Sequence, residues 1–491
     1  MKHFIPLLFF CFIPFHNNSQ QIYSVHEVDQ PAGPRGGMAL MQQFISANVE
    51  VPFLSGVRGL NTKVVVKGVI EPDGSMSQIE AVNGPDLPCR EEAVRVMRLY
   101  KAWKPALLKG EVVRQELFFP VTFKAEARAD FDSIRSAFVR YFDRDFRRVS
   151  GPAGSALRSI SPVDHRGRIC NDVVFEQLRK KEWHEALRIP FRKEEFWYKT
   201  GVLDPGTDSV KASRVLVRDS DRTSYGPVVT YQENGSRLTF TEFNSERWVS
   251  HLRYDLNGLV RTASYCADTV VTELSWHDNG LIKSVVEYAT SPNDRVYSAP
   301  APFSPMYYLN AWSRDGKQTL VDGDGYWNDT GVELNGELIR ESGAVAAGLK
   351  KGKWVGIRAD SSLYYEEVFV NGQLESGTSY DGDGTRFTYT DPGKLPEFKG
   401  GRNKMYQFLA SNIRYTETAA RQGATGRVLI SFVVCQDGTL CDYDLVRGVE
   451  SSLDEEALRV VKMMSGSWKP GFLKGKAVRV RHILPVNFQM D

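Results

Sequence analysis

No stretch of this chain stays apolar for the roughly 20 residues that a membrane-spanning helix needs; the longest run, FIPLLFFCFIPF, extends only from Phe4 to Phe15. An integral membrane protein is therefore not expected. Charge of one sign is also missing. The 62 Lys and Arg residues nearly cancel the 60 Asp and Glu, so no field is available to gather nucleic acid or an anionic membrane surface. Cysteine is scarce, six in 491 residues, with no C-x-x-C pair and no His-Cys cluster at zinc spacing, which speaks against a metal. There is no Gly-x-Ser-x-Gly elbow and no His-Glu-x-x-His helix, the WHEAL segment at Trp183 lacking the second histidine. The Asp-Gly pairs in VDGDGYW from Val321 and YDGDGTRF from Tyr380 lack the other ligands of an EF-hand loop and read as turns. The protein is expected not to be an enzyme and to use no cofactor.

What is present begins with the leader. Lys2 and His3 precede the 12-residue apolar run, and polar HNNSQQ follows it, the layout of a secretory signal peptide over 1–20, cleaved near Ser19. Cys11 reads as part of that run, because bulky Phe9 and Phe10 stand where a lipid-attachment site needs small residues. Five cysteines remain: Cys89, Cys170, Cys266, Cys435 and Cys441. An odd, scattered set is no disulfide framework. Cys435 and Cys441 flank a turn and would pair only if the hairpin register set them opposite each other; burial as free thiols is the other reading.

The strongest internal signal is a duplication. PRGGMALMQQFISANV from Pro34 answers FKGGRNKMYQFLASNI from Phe398, Asp73-Gly74 answers Asp437-Gly438, and REEAVRVM from Arg90 answers DEEALRVV from Asp454, each pair 364 positions apart. One inserted residue then makes the offset 365, where WKPALLKG from Trp103 answers WKPGFLKG from Trp468 and FPVTF from Phe119 answers LPVNF from Leu484. In the second copy Met405, Phe408 and Leu409 have helical spacing, whereas Val428, Ile430, Phe432 and Val434 alternate as a strand up to the Asp437-Gly438 turn. A second strand runs through Tyr443 and Leu445. Ser452 and Glu455 form a capping-box pattern before a helix that carries Leu453, Ala457, Val461 and Met464 on one face. Val478, Val480, Leu484, Val486 and Phe488 then alternate again. The module is a small sheet against helices, an α+β unit. Cys89 replaces Leu453 at a helix core position of the first copy and is expected to pack as a small hydrophobe.

PEFKGGRNKMYQFLASNIRY, GRVLISFVVCQDGTLCDYDLVRGVESSLDEEALRVVKMM and WKPGFLKGKAVRVRHILPVNF together resemble the C-terminal domain of the TonB family over 395–491. The copy at 29–125 resembles it in a divergent form, with Val51-Pro52 near the usual tyrosine-proline position. The resemblance implies a periplasmic energy-transducer module that binds the TonB-box peptide of outer-membrane receptors by adding it as a strand to a sheet edge. A transducer of that family also has an uncleaved membrane helix and a long Pro-rich spacer; this sequence has neither, and coupling to a proton-motive complex is not implied. The candidate edge strand is Val478, Arg479, Val480, Arg481 and His482. Arg479 and Arg481 there either meet acidic groups of an added peptide or stay solvated and guard the edge against aggregation.

Between the copies, Ile134, Phe138, Tyr141 and Phe142, then Val174, Leu178 and Trp183, have roughly helical spacing, so 126–200 is expected to be a helical connector, with His184 on its surface. Residues 201–390 carry hairpin turns at Asn234-Gly235, Asn257-Gly258, Asn279-Gly280, Asp315-Gly316, Asn335-Gly336 and Asn371-Gly372, the spacing of an all-β hairpin array. LSWHDNGLIKSVVEY and LKKGKWVGIRADSSLYYEEVFVNGQLESGTSYDGDG resemble MORN-type repeats. Trp327, Trp354, Tyr364, Tyr365 and Phe369 form either an aromatic ligand surface or interlocking sheet packing.

The fold class expected is thus α+β: two small TonB C-terminal-like domains flanking a helical connector and a MORN-like β-repeat region. The expected role is a non-catalytic, exported envelope protein of the periplasm, peripheral to a membrane at most, that recognises protein or peptide partners, TonB-dependent receptors of the outer membrane among them, as an accessory to transport. The alternative is a cell-envelope scaffold, or a glycan-associated structural protein, with no transport role.

Overall fold

The computed structural model describes residues 21–200, 209–217, 226–243, 247–290, 305–333 and 337–489. The expected leader at 1–20 and the Asn335-Gly336 turn lie outside these residues. No described helix is long and apolar enough to cross a membrane.

The duplication in sequence is a duplication in structure. In the second copy the helix Gly401–Asn412 buries Met405 and Leu409, and Gly426–Val434 is the central strand between Leu440–Arg447 and Val480–Phe488. The first copy repeats this with the helix Met38–Asn48 and the strands Leu60–Ile70, Met76–Ala81 and Glu111–Ala125. Alternation does what the sequence pattern requires: Val428, Ile430, Phe432 and Val434 are all fully buried against the helix Ser451–Met463. That helix is capped differently from the expected box. Glu450 is the N-cap, and its carboxylate accepts from the N–H groups of Ser452 and Leu453, as Asp86 accepts from Cys89 N–H in the first copy. Cys89 is fully buried. Both Asp-Gly turns have glycine at positive φ, 81° at Gly74 and 82° at Gly438, and a Cβ at either would collide with the carbonyl of the module's tryptophan, Trp103 or Trp468.

The helical connector is not there. Residues 126–200 contain no helix; they form the antiparallel strands Phe131–Asp132, Ala137–Phe142, Arg148–Val149, Leu157–Pro162, Val173–Arg179 and Glu182–Ile189, with Phe191–Lys199 opening the next sheet. Short aromatic and β-branched runs satisfy a helical and a strand pattern at once, and neighbours across the sheet decide. Ala137 and Val139 point inward in alternation, whereas Ile134, counted into the helical stripe, is 96% exposed. Lys180 and Lys181 both have positive φ and close a two-residue hairpin between Val173–Arg179 and Glu182–Ile189. His184 lies exposed on the second of these strands.

The described residues of 191–389 form one antiparallel meander of 16 strands in strict chain order. Four of the expected turns recur with one hydrogen-bond pattern, Gln232, Asp255, His277 and Ser313 each donating N–H to the carbonyl four residues on; Asn371-Gly372 instead closes a two-residue hairpin with both residues at positive φ. The aromatic group is packing: Trp327, Trp354, Tyr364 and Tyr365 are buried, with Tyr308 edge-on to Trp327 at 4.7 Å.

Candidate functional site: an open sheet edge

The five candidate residues fall on both sides of a break. Val478 ends the strand Lys476–Val478, which pairs with Gly471–Leu473, and Val480 starts Val480–Phe488, which pairs along its whole length with Gly426–Val434. Arg479 lies between the two strands. Val480 is buried, Arg481 is exposed and His482 is half-buried. Among the described residues no strand pairs with the far side of Val480–Phe488, so its outward backbone groups form an unpaired edge.

Pro485 sits within this strand opposite Leu429. Proline has no N–H and is tolerated in a paired strand where its nitrogen faces away from the ladder. Backbone groups alternate sides along a strand, so Ile483 and Arg481 turn their amides outward with it. Ile483, 52% exposed, supplies an apolar contact beside that edge. The first copy has Pro120 and exposed Phe118 at the matching positions.

Neither arginine stands free. Arg479 Nη2 lies 2.6 Å from Asp442 Oδ2, and Arg481 Nη1 donates to Ser431 Oγ at 3.0 Å. The Arg479–Asp442 ion pair is at the surface, where such contacts are worth little and exchange readily, whereas the Arg481 bond reaches a buried hydroxyl. His482 stacks by Trp468 at 5.1 Å and Phe432 at 5.5 Å, and burial lowers its imidazole pKa. Cys435 and Cys441 are bridged across the hairpin turn on the opposite side of the central strand, which resolves the pairing that spacing left open.

One feature of the edge escaped the pattern reading. In the first copy Ile22–Tyr23 lies parallel on Arg114–Gln115, and the fully buried Gln115 side chain accepts from Ala32 N–H at 2.7 Å. The matching residue of the second copy is Val480, which offers no such acceptor. The exchange of a glutamine for a valine at this position is the signal that marks the two edges as unequal.

Residues 55–125 and 411–490 both match the C-terminal region of the Gram-negative bacterial TonB protein. Two NMR solution structures of the Helicobacter pylori TonB C-terminal domain are similar to part of this chain, one at 26% identity over 18% of this chain and 90% of its own, the other at 25% over 18% and 81%, each with a TM-score of 0.15. Nothing among curated proteins matches. The chain therefore carries two domains of the TonB C-terminal family, one near each end.

Proposed function

We propose that this protein is a non-catalytic envelope component that takes up an extended partner peptide by strand addition along Val480–Phe488. The observation that carries this reading is the unpaired side of that strand, nine residues long, at the border of a three-stranded sheet. Main-chain bonds would supply the affinity, with Ile483 and the Arg481 stem beside them. TonB-box segments of outer-membrane receptors are the partners that the family suggests, and the periplasm is the compartment. The MORN-like sheet would then hold the module at a fixed distance from the rest of the chain.

The test is titration of a TonB-box peptide into the mature full-length chain. Arg481→Pro deletes an outward amide without touching the inner ladder and should abolish binding, whereas Arg479→Ala/Arg481→Ala should weaken it only several-fold. Circular dichroism confirms that each variant is folded. No binding by the wild type at millimolar peptide would leave the second reading, a scaffold, favoured by the apolar core that the first module and the large sheet share.

A further inference from the structure

The two TonB modules are attached to the large sheet in different ways. Phe44 and Tyr100 of the first module lie in one buried cluster with Leu259, Trp276, Leu281 and Ile282 of the sheet. The core of the second, around Phe432, Leu453, Trp468 and Phe488, includes no residue of the sheet among those described. Its contact centres on the turn Leu473, Lys474 and Gly475, where charged and hydroxyl groups meet each other and the aromatic rings of the sheet.

Lys474 has a φ of 48° and is only 6% exposed. Its Nζ lies 3.0 Å from Glu367 Oε1, 3.6 Å from Glu333 Oε1 and 3.7 Å from the centroid of the Tyr365 ring. Tyr389 Oη donates to the same Glu367 Oε1 at 2.9 Å, and Tyr365 Oη donates to Glu341 Oε2 at 2.6 Å. Burial and the neighbouring carboxylates push both phenols far above their ordinary range, so both stay protonated and donate. Ser379 Oγ donates to the Lys474 carbonyl at 2.7 Å. The outer side is closed by Lys476, which reaches Asp381 and lies over the Phe387 ring. A carboxylate and an aromatic face are what an ammonium group needs once water is stripped from it. The module fold does not impose this contact: Lys109, at the matching turn of the first copy, is exposed, and only its backbone N–H is engaged, by Asp29.

We propose that the sheet carries a binding pocket for a primary alkylammonium group, walled by Glu333, Glu367, Tyr365 and Tyr389, and that Lys474 fills it in cis. This side chain, with Lys476 on Asp381 and Ser379 Oγ on the Lys474 carbonyl beside it, then holds the second TonB module against the sheet as a detachable unit, while the first module is fixed by shared apolar core. Loss of the lysine leaves buried carboxylate without a counter-charge, which favours hydration of the pocket and separation of the module. The inference does not rest on strand addition, because it concerns the hairpin that precedes the edge strand and not the open side of that strand.

The test uses the full-length chain with trypsin as the probe of the segment around Lys394. Lys474→Ala should make cleavage there about tenfold faster by local opening, and Lys109→Ala should leave it unchanged. n-Propylammonium, which restores the atoms removed beyond Cβ, should return Lys474→Ala to the wild-type rate at a concentration where tetramethylammonium does not. Glu367→Gln should open the segment as Lys474→Ala does, with no rescue by the amine. Where Lys474→Ala gives too little folded chain, Lys474→Arg serves in its place: the planar group does not fit the pocket, and faster cleavage is again expected. Wild-type cleavage rates in these variants, or a rise that n-propylammonium reverses no better than tetramethylammonium, would overturn the proposal.

Discussion

Single residues show how far side-chain chemistry follows burial. His251, on the strand Trp248–Tyr254, is buried, with Nδ1 2.8 Å from Thr241 Oγ1. Burial, aided by Arg253, drives its pKa down to about 3. The unfolded chain protonates this ring below about pH 6.5 and the folded chain does not, so its contribution is complete above that pH and is lost as pH falls toward the folded value. Stability measured by denaturant between about pH 6.5 and 5, above the main carboxylate range, is expected to fall in the wild type and to fall less in His251→Asn; equal slopes would count against it. Nothing in the sequence around His251 announces this, because the groups that bury it come from neighbouring strands. Cys89 was legible, since its place in a repeated helix stripe defines its surroundings.

At the scale of elements, local pattern succeeded where a strong period and a turn agreed. The helix at Met405 and the strand at Val428 were readable in this way. Trp468 joins them: it is 2% exposed and packs against Phe398 at 5.8 Å and Phe432 at 5.5 Å. Trp468→Ala should therefore cost roughly 3–5 kcal/mol by chemical denaturation of the second module, and a loss below about 1 kcal/mol would be incompatible with a packed side chain. Pattern failed at 126–200, where short apolar runs fitted two periods and only pairing between strands distinguished them. It was also incomplete at the candidate edge. The alternation from Val478 to His482 looked continuous, yet Arg479 interrupts it, because Lys476–Val478 closes a tight hairpin with Gly471–Leu473 before the long strand begins.

Across the whole molecule, Asn48 joins the first module to the sheet. It is 3% exposed; its Oδ1 accepts from Val260 N–H at 2.9 Å and its Nδ2 donates to Phe44 O at 2.9 Å. Asn48→Ala strands a buried N–H and should destabilise by about 1–3 kcal/mol. Calorimetry should show that loss in a transition shared by the first module and the sheet, with the second module's transition unmoved; a shift confined to the first module would contradict the shared core. The sequence by itself determined the duplicated module, its helices and strands and the described turns of the β-array, because each rests on residues close together in the chain. Tertiary structure alone decided that the connector is a sheet, and that the first module shares apolar core with the large sheet whereas the core of the second does not and Lys474 meets Glu367 of the sheet. Those outcomes depend on partners far apart in sequence, 107 positions between Lys474 and Glu367 and 212 between Asn48 and Val260, which no local period encodes.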